Sequence, residues 1–482
     1  MQPFLDMGRF LGYDYCEPEL SAAPEKRGIS MKEKTMIRDL TQGSVTRELI
    51  LFSVPFILSN LLQTIYNIVD MVVIGQFVGA AGLSAVSVGT DLLHLMTMFC
   101  AGFATAGQII ISQYVGSGDR ESISRTVGSM FTLILSAAVV LSVICCIFAD
   151  PILRAVNTPA EAWDQAKSYS ITCFVGLVFV FGYNIVSAIL RGMGDGNRPL
   201  LFIAIASIVN LVLDLLFVAV FHLQAFGAAL ATILAQGISF AVSLVYLYRR
   251  REAFGFDFRP SSFRVQKEQA LKLCRMGFPL AIQYAAIMIS VIFVNAFINS
   301  YGVAVSATNG VGNKLRNLAN IVMMSISTAA ATMCGQNLGA KKFDRVKRIV
   351  WVSFAINVGY TMILSAVLLL FPEQIFRLFT SDGEVLSWAA RYMPVAVVAF
   401  FASAMMMPFN AVINGLGYAS LSLIIGLLDS VVARIALALI LGGRFGILGY
   451  WYGNSLAGFV TVILAMAYFF SGRWKTRKLL VE

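Results

Sequence analysis

Long apolar runs separated by short polar stretches fill most of the chain. A helix that crosses a hydrocarbon core of ~30 Å needs ~20 mainly apolar residues. That length finds twelve runs, at 48–74, 83–110, 125–148, 168–190, 200–220 and 226–248, then at 270–298, 303–331, 349–371, 387–412, 419–441 and 447–470. The pattern predicts an all-α integral membrane protein with twelve transmembrane helices. Pro55 and Pro279 interrupt the first run of each set of six, where a missing backbone donor favours a kink.

The two sets of six resemble each other. Aligning Ser53-Val-Pro55 with Gly277-Phe-Pro279 brings Gln113-Tyr-Val-Gly116 against Gln336-Asn-Leu-Gly339. Gly192-Met-Gly194 then follows Gln113 at the same interval at which Gly415-Leu-Gly417 follows Gln336, and Phe226-Gly227 and Phe445-Gly446 open the sixth span of each half. Four landmarks in one order argue for duplication. Because six is even, both halves enter the bilayer in the same sense, which predicts two parallel-repeat six-helix lobes about an axis along the membrane normal. The expected divisions are an N-terminal tail over 1–45, an N-terminal lobe over 46–248, an inter-lobe linker over 249–269, a C-terminal lobe over 270–470 and a C-terminal tail over 471–482. In residues 1–30 charges recur too closely for the apolar core of a signal peptide. Met31 could be a second start, and the first thirty residues are assigned no function.

Composition agrees with a membrane setting: 58% of the 482 residues are hydrophobic and 13% charged, against roughly 45–50% and about 25% in soluble proteins. The net charge of +10 sits in alternate connections, densest in Arg249-Arg250-Arg251 with Arg259 and Arg264, and in Lys341, Lys342 and Arg345. The opposite connections hold only Arg154, Lys167, Arg377, Arg391 and Arg444. This bias predicts both termini in the cytoplasm of a multi-pass plasma-membrane protein, and it accounts for the charge without nucleic acid. Seven cysteines form no CxxC or Cys/His cluster, so no metal centre or disulfide framework is inferred. Without a GxxxxGK[ST] loop, ATP is not the expected energy source. His94 and His222 do not make a catalytic constellation, and no enzyme is expected.

Ionisable side chains at bilayer depth are expensive and functional by default. Those in the apolar runs are Asp70, Asp91, His94, Asp214, Lys314, Arg316, Asp429 and Arg434. Asn210 and Asp214 are four apart, placing an amide and a carboxylate on one helical face. A hard cation wants such oxygens, and a proton wants a desolvated or crowded carboxylate, so Asp70 and Asp214 could serve either ion or be satisfied by neighbouring helices. Asp91 and His94 read as interfacial. Lys314 and Arg316 could balance a carboxylate, meet an anionic substrate or snorkel. Asp429 and Arg434 could pair, although their spacing is not an ideal same-face pair.

Pro55, Gln63, Tyr66-Asn67-Ile-Val-Asp70 and Gly75 resemble the first helix of the multidrug and toxic compound extrusion (MATE) family, and Gln113-Tyr-Val-Gly116 its second-to-third loop. Asn210-x3-Asp214, followed by Gly227-Ala-Ala-Leu-Ala-Thr232, is similar to the fifth and sixth helices of the branch with DinF-like, MepA-like and archaeal members. The resemblance covers roughly residues 40–470. It implies a V-shaped pair of lobes in a bacterial membrane, acting as a monomer in secondary active export of amphipathic, often cationic, organic compounds against protons or sodium, without a cofactor. It further implies a cation site at Asp70, Asn210, Asp214 and Thr232, with Pro55 as the bending proline. Gln63, Tyr66, Asn67, Gln283, Met405 and Met406 are the cleft candidates, methionine being a side chain that repacks around varied ligands. The NorM-like branch has an acidic residue in the seventh helix, where this chain has Gln283 and an apolar run. An alternative cargo is a lipid-linked sugar, as in related flippases, which would call for more cations in the cleft than Lys314, Arg316 and Arg434.

Overall fold

The computed structural model describes residues 36–481, so the reading of residues 1–30 lies outside the described part. Backbone polar groups in lipid must be paired within their own segment, which makes each apolar run a helix. Among the described residues, eleven helices are long and apolar enough to span: α1 (Val45–Phe77), α2 (Ala80–Ser117), α3 (Arg120–Ile147), α5 (Asn197–Val220), α6 (Gln224–Arg249), α7 (Lys267–Asn299), α8 (Val303–Gly339), α9 (Phe343–Leu370), α10 (Gly383–Gly415), α11 (Ala419–Phe445) and α12 (Ile447–Phe470). The remaining span, α4, is a pair of helices, Ala160–Val175 and Leu177–Gly192, bent by 47°. Large apolar side chains such as Ile208, Ile289, Ile363 and Ile463 stand exposed around the bundle, the surface that lipid covers.

Two features depart from the sequence expectation. The fourth span breaks at Gly176, where a Cβ would lie 2.3 Å from Cγ2 of Ile233 on α6, so the glycine that admits this contact also interrupts the helix. Gln113-Tyr-Val-Gly116, expected in a loop, is the final helical stretch of α2, and Gln336-Asn-Leu-Gly339 ends α8 in the same way. Both glutamines are fully buried and remain so because each finds partners in the opposite lobe.

That partnership closes the end of the bundle that carries the basic connections. Nε2 of Gln113 donates to the Gly415 carbonyl at 2.7 Å, and Nε2 of Gln336 donates to the equivalent Gly192 carbonyl at 3.4 Å. A chain segment from outside the spans then caps each glutamine: Oε1 of Gln336 accepts from the Leu40 N–H at 2.9 Å, and Oε1 of Gln113 accepts from the Leu480 N–H at 3.2 Å. Arg345 adds bonds to the carbonyls of Gln42 and Gly43. The helices α2 and α8 touch through glycine, since a Cβ on Gly116 would stand 1.9 Å from the Gln336 carbonyl oxygen and one on Gly339 2.1 Å from that of Gln113. Further toward the middle, Asn60 donates to Ser325 at 3.0 Å and Gln108 to Thr332 at 2.8 Å. Among the described residues, the hydrogen bonds between lobes fall between the basic end and the middle of the helices. No hydrogen bond between the lobes falls toward the other end among the described residues.

The connection over 249–269 is more than a solvated loop. Its arginines are exposed, but Phe254 and Phe256 are buried, and Phe256 and Phe263 meet edge to face at 5.2 Å. The segment docks on α3, where Thr132 donates to the Phe263 carbonyl at 2.5 Å and Ser129 accepts from the Gln266 N–H at 3.1 Å. The aromatic stripe among the charges anchors the linker beneath the N-terminal lobe. In the C-terminal tail, Trp474 stacks on Phe469 at 5.7 Å.

Candidate functional site

The helix α1 has two polar faces. Ser59, Tyr66 and Asp70 follow one side at helical spacing and turn into the N-terminal lobe, where Asp70 is buried. Asn60, Gln63 and Asn67 follow another, and the bond from Asn60 to Ser325 shows that this side looks toward the opposite lobe. Gln63 and Asn67 are exposed there. Tyr66, expected on the cleft, instead lines a cavity inside the lobe, because it lies one turn from Asp70 and shares its face. Pro55 sits within an unbroken α1, buried against Gly196.

Opposite Asp70, α5 presents Asn210 and Asp214, both buried. Directly after Asp214 the helix widens into a π-helical turn over Leu215–Val220, a distortion found mostly at functional sites. From α6, Thr232 and Gln236 enter on one face, four residues apart. Nδ2 of Asn210 donates to Oγ1 of Thr232 at 3.4 Å. A narrow gap lies among Tyr66, Ser207, Asn210, Thr232 and Gln236, and the carboxylates of Asp70 and Asp214 lie near enough to act electrostatically on each other. The four residues proposed as a set in the sequence therefore converge in space. Gln236 was missed, although its spacing from Thr232 repeats that of Asn210 and Asp214.

The chemistry of this cluster is one-sided. Oδ1 of Asp70, both carboxylate oxygens of Asp214 and Oε1 of Gln236 are buried without a hydrogen-bond partner, and no lysine or arginine among the described residues pairs with either aspartate. An uncompensated buried carboxylate costs several kcal/mol, so two beside each other require a proton or a cation. Carboxylate, amide and hydroxyl oxygens suit a hard monovalent cation as well as a shared proton.

The other candidates separate by location. Gln283 packs against Gly426 of α11, where a Cβ would come within 2.6 Å of its Cγ, so it faces the interior of the C-terminal lobe. Met405 and Met406 on α10 are half-buried. Asp91 and His94 are exposed near the start of α2. Asp429 and Arg434 do pair, at 2.9 Å, despite their spacing. The residues Leu428–Arg434 form a π-helical turn, whose wider pitch brings positions five apart onto one face. Each lobe thus carries a π-helical turn with an aspartate at its start, on its fifth span.

Comparison with known proteins gives the following. The MatE family model matches residues 55–216 and again 279–440, once in each lobe. The probable multidrug resistance protein YpnP of Bacillus subtilis is 29% identical over 448 residues, covering 92% of this chain and 99% of that one. The multidrug export protein MepA of Staphylococcus haemolyticus is 22% identical, covering 90% and 95%. A solved MOP superfamily transporter from Pyrococcus furiosus has the same fold, with a TM-score of 0.85 at 21% identity over 92% of this chain and 99% of that one.

Proposed function

This chain belongs to the MatE family of multidrug efflux transporters, and on that premise we propose that it exports amphipathic, often cationic, organic compounds by antiport against protons or sodium. The observation that carries the reading is the double role of α1. One face brings Asp70 to a cluster of unpartnered oxygens, and the other brings Gln63 and Asn67 to the cleft. A cation or proton arriving at Asp70 and Asp214 removes the repulsion between them and favours a different packing of α1 against α5 and α6. The same helix carries the cleft groups, so ion and substrate bias one conformational equilibrium in opposite directions. The names of the curated relatives, a multidrug resistance protein and a multidrug export protein, support the substrate class.

The charge bias of the connections supports a cytoplasmic basic end in a bacterial plasma membrane. On that orientation the hydrogen-bonded closure at the basic end supports a conformation sealed toward the cytoplasm. Each lobe completes its own polar cluster from its own six helices, which supports action as a monomer.

The test is ethidium efflux from preloaded cells. Cells expressing the chain are expected to lose ethidium faster than cells with an empty vector, and collapsing one of the two gradients, proton or sodium, but not the other, is expected to abolish the difference. Equal rates with and without the chain would overturn the reading and move the cargo toward a narrower or lipid-linked compound.

A further inference from the structure

Resting on the exporter reading, we infer that the C-terminal lobe holds an anion subsite, where Arg316 and Trp451, backed by Arg434 through Asn454, receive the carboxylate of an amphipathic substrate that also carries a cation. The lobes are duplicates, yet the polar clusters at these two cavities differ in character. The N-terminal cluster is rich in orphaned acceptors. In the C-terminal lobe a tight cavity is lined by Asn309, Arg316, Tyr392, Trp451, Asn454 and Ser455, with no carboxylate among its lining residues.

Arg316 has no acidic partner among the described residues. It bonds to Oδ1 of Asn313, and the charged group that bears on it is another cation, Arg434. Arg434 in turn uses Nη2 on Asp429 and Nη1 on Asn454, at 2.9 and 3.0 Å, which leaves its buried Nε–H without a partner. The indole N–H of Trp451, in a side chain only 2% exposed, is also unpartnered. Oδ1 of Asp429 is an orphaned acceptor here, but the charge of that carboxylate is already opposed by Arg434. Two guanidinium groups against one carboxylate leave a net positive charge at bilayer depth, a costly arrangement unless a ligand completes it.

Guanidinium and indole groups only donate. The missing partner must therefore accept hydrogen bonds and carry negative charge. A planar carboxylate matches the guanidinium fork, and the open centre of the cavity has room for little more than one water-sized group, which favours a carboxylate oxygen over a bulkier phosphate. Arg316 also lies on the helix that reaches Ser325 at the seal, nine residues earlier and so about 14 Å further from the basic end. A substrate in the cleft approaches from that side.

Two dyes that differ in one group test this: rhodamine 123, a cationic methyl ester, and rhodamine 110, which carries the free carboxylate. Binding to the purified full chain is read by fluorescence polarisation. Wild type is expected to bind the acid about tenfold more tightly than the ester, the worth of one charge-assisted hydrogen bond. Arg316→Gln is expected to remove that preference with ester affinity unchanged, and Arg316→Lys to keep part of it. Retained ester binding shows that the variants are folded. An acid-to-ester ratio of one in wild type, or a ratio unaffected by Arg316→Gln, overturns the subsite alone. Failure of the ester to bind wild type contradicts the cationic-drug reading and, with it, the subsite that rests on it. Chloride in place of gluconate that stabilises wild type but not Arg316→Gln, with no preference for the acid, identifies a free-anion site and overturns the substrate carboxylate.

Discussion

Asp70→Asn and Asp214→Asn are each expected to reduce ion-coupled efflux by about 10- to 100-fold, the size of a typical coupling free energy, without lowering the stability of the purified protein. The amide keeps the shape of the side chain but cannot exchange a proton or hold a cation as a charge. Because the wild-type carboxylates are buried near each other with orphaned oxygens, removing one charge relieves repulsion, and the thermal midpoint is expected to stay level or rise. This combination separates a coupling site from a structural one. Efflux rates and melting curves of the same variants check it, and a fall in both together would assign the aspartates to the fold.

Gly116→Ala is expected to act on the conformational equilibrium. The added Cβ would stand 1.9 Å from the backbone carbonyl oxygen of Gln336, and neither helix backbone gives way easily where two bonded glutamines and two capping segments hold it. Overpacking of this kind costs about 1–3 kcal/mol, and each 1.4 kcal/mol is about tenfold in a two-state equilibrium. The seal at the basic end should open accordingly. A cysteine placed at Thr332, whose hydroxyl accepts from Gln108 across the seal, reports this in a background where the other cysteines are replaced. Its maleimide labelling rate should rise about 5- to 150-fold in Gly116→Ala, and an unchanged rate would mean that the crossing of α2 and α8 does not set the closed state. Gly339→Ala, which meets the Gln113 carbonyl oxygen in the same way, should behave alike.

The pattern of apolar runs was enough to place all twelve spans and the repeat, because length and composition dominate in lipid. It did not reveal the break at Gly176, which depends on how close Ile233 of another span comes. Nor did it extend α2 through Gln113 and Gly116, since polar and small residues resemble a loop until a partner lobe is there to bury them. Within the site, Asp70, Asn210, Asp214 and Thr232 could be picked out by charge, spacing and resemblance. Tyr66 and Gln236 were legible only by carrying the four-residue spacing one step further, from Asp70 to Tyr66 and from Thr232 to Gln236. The pairing of Asp429 with Arg434 was obscured for a related reason, as a π-helical turn changes which residues share a face. The linker was read by its arginines, while its phenylalanines do the anchoring.

The central claim is that the acceptor cluster of the N-terminal lobe couples an ion gradient to substrate movement. Its most direct test uses proteoliposomes containing the purified chain, with ethidium outside and either a proton or a sodium gradient directed outward across the membrane. The account predicts ethidium accumulation in wild type with one of the two gradients and none in the double variant Asp70→Asn, Asp214→Asn, which should still equilibrate or bind the dye. Accumulation by the double variant at the wild-type rate would contradict it.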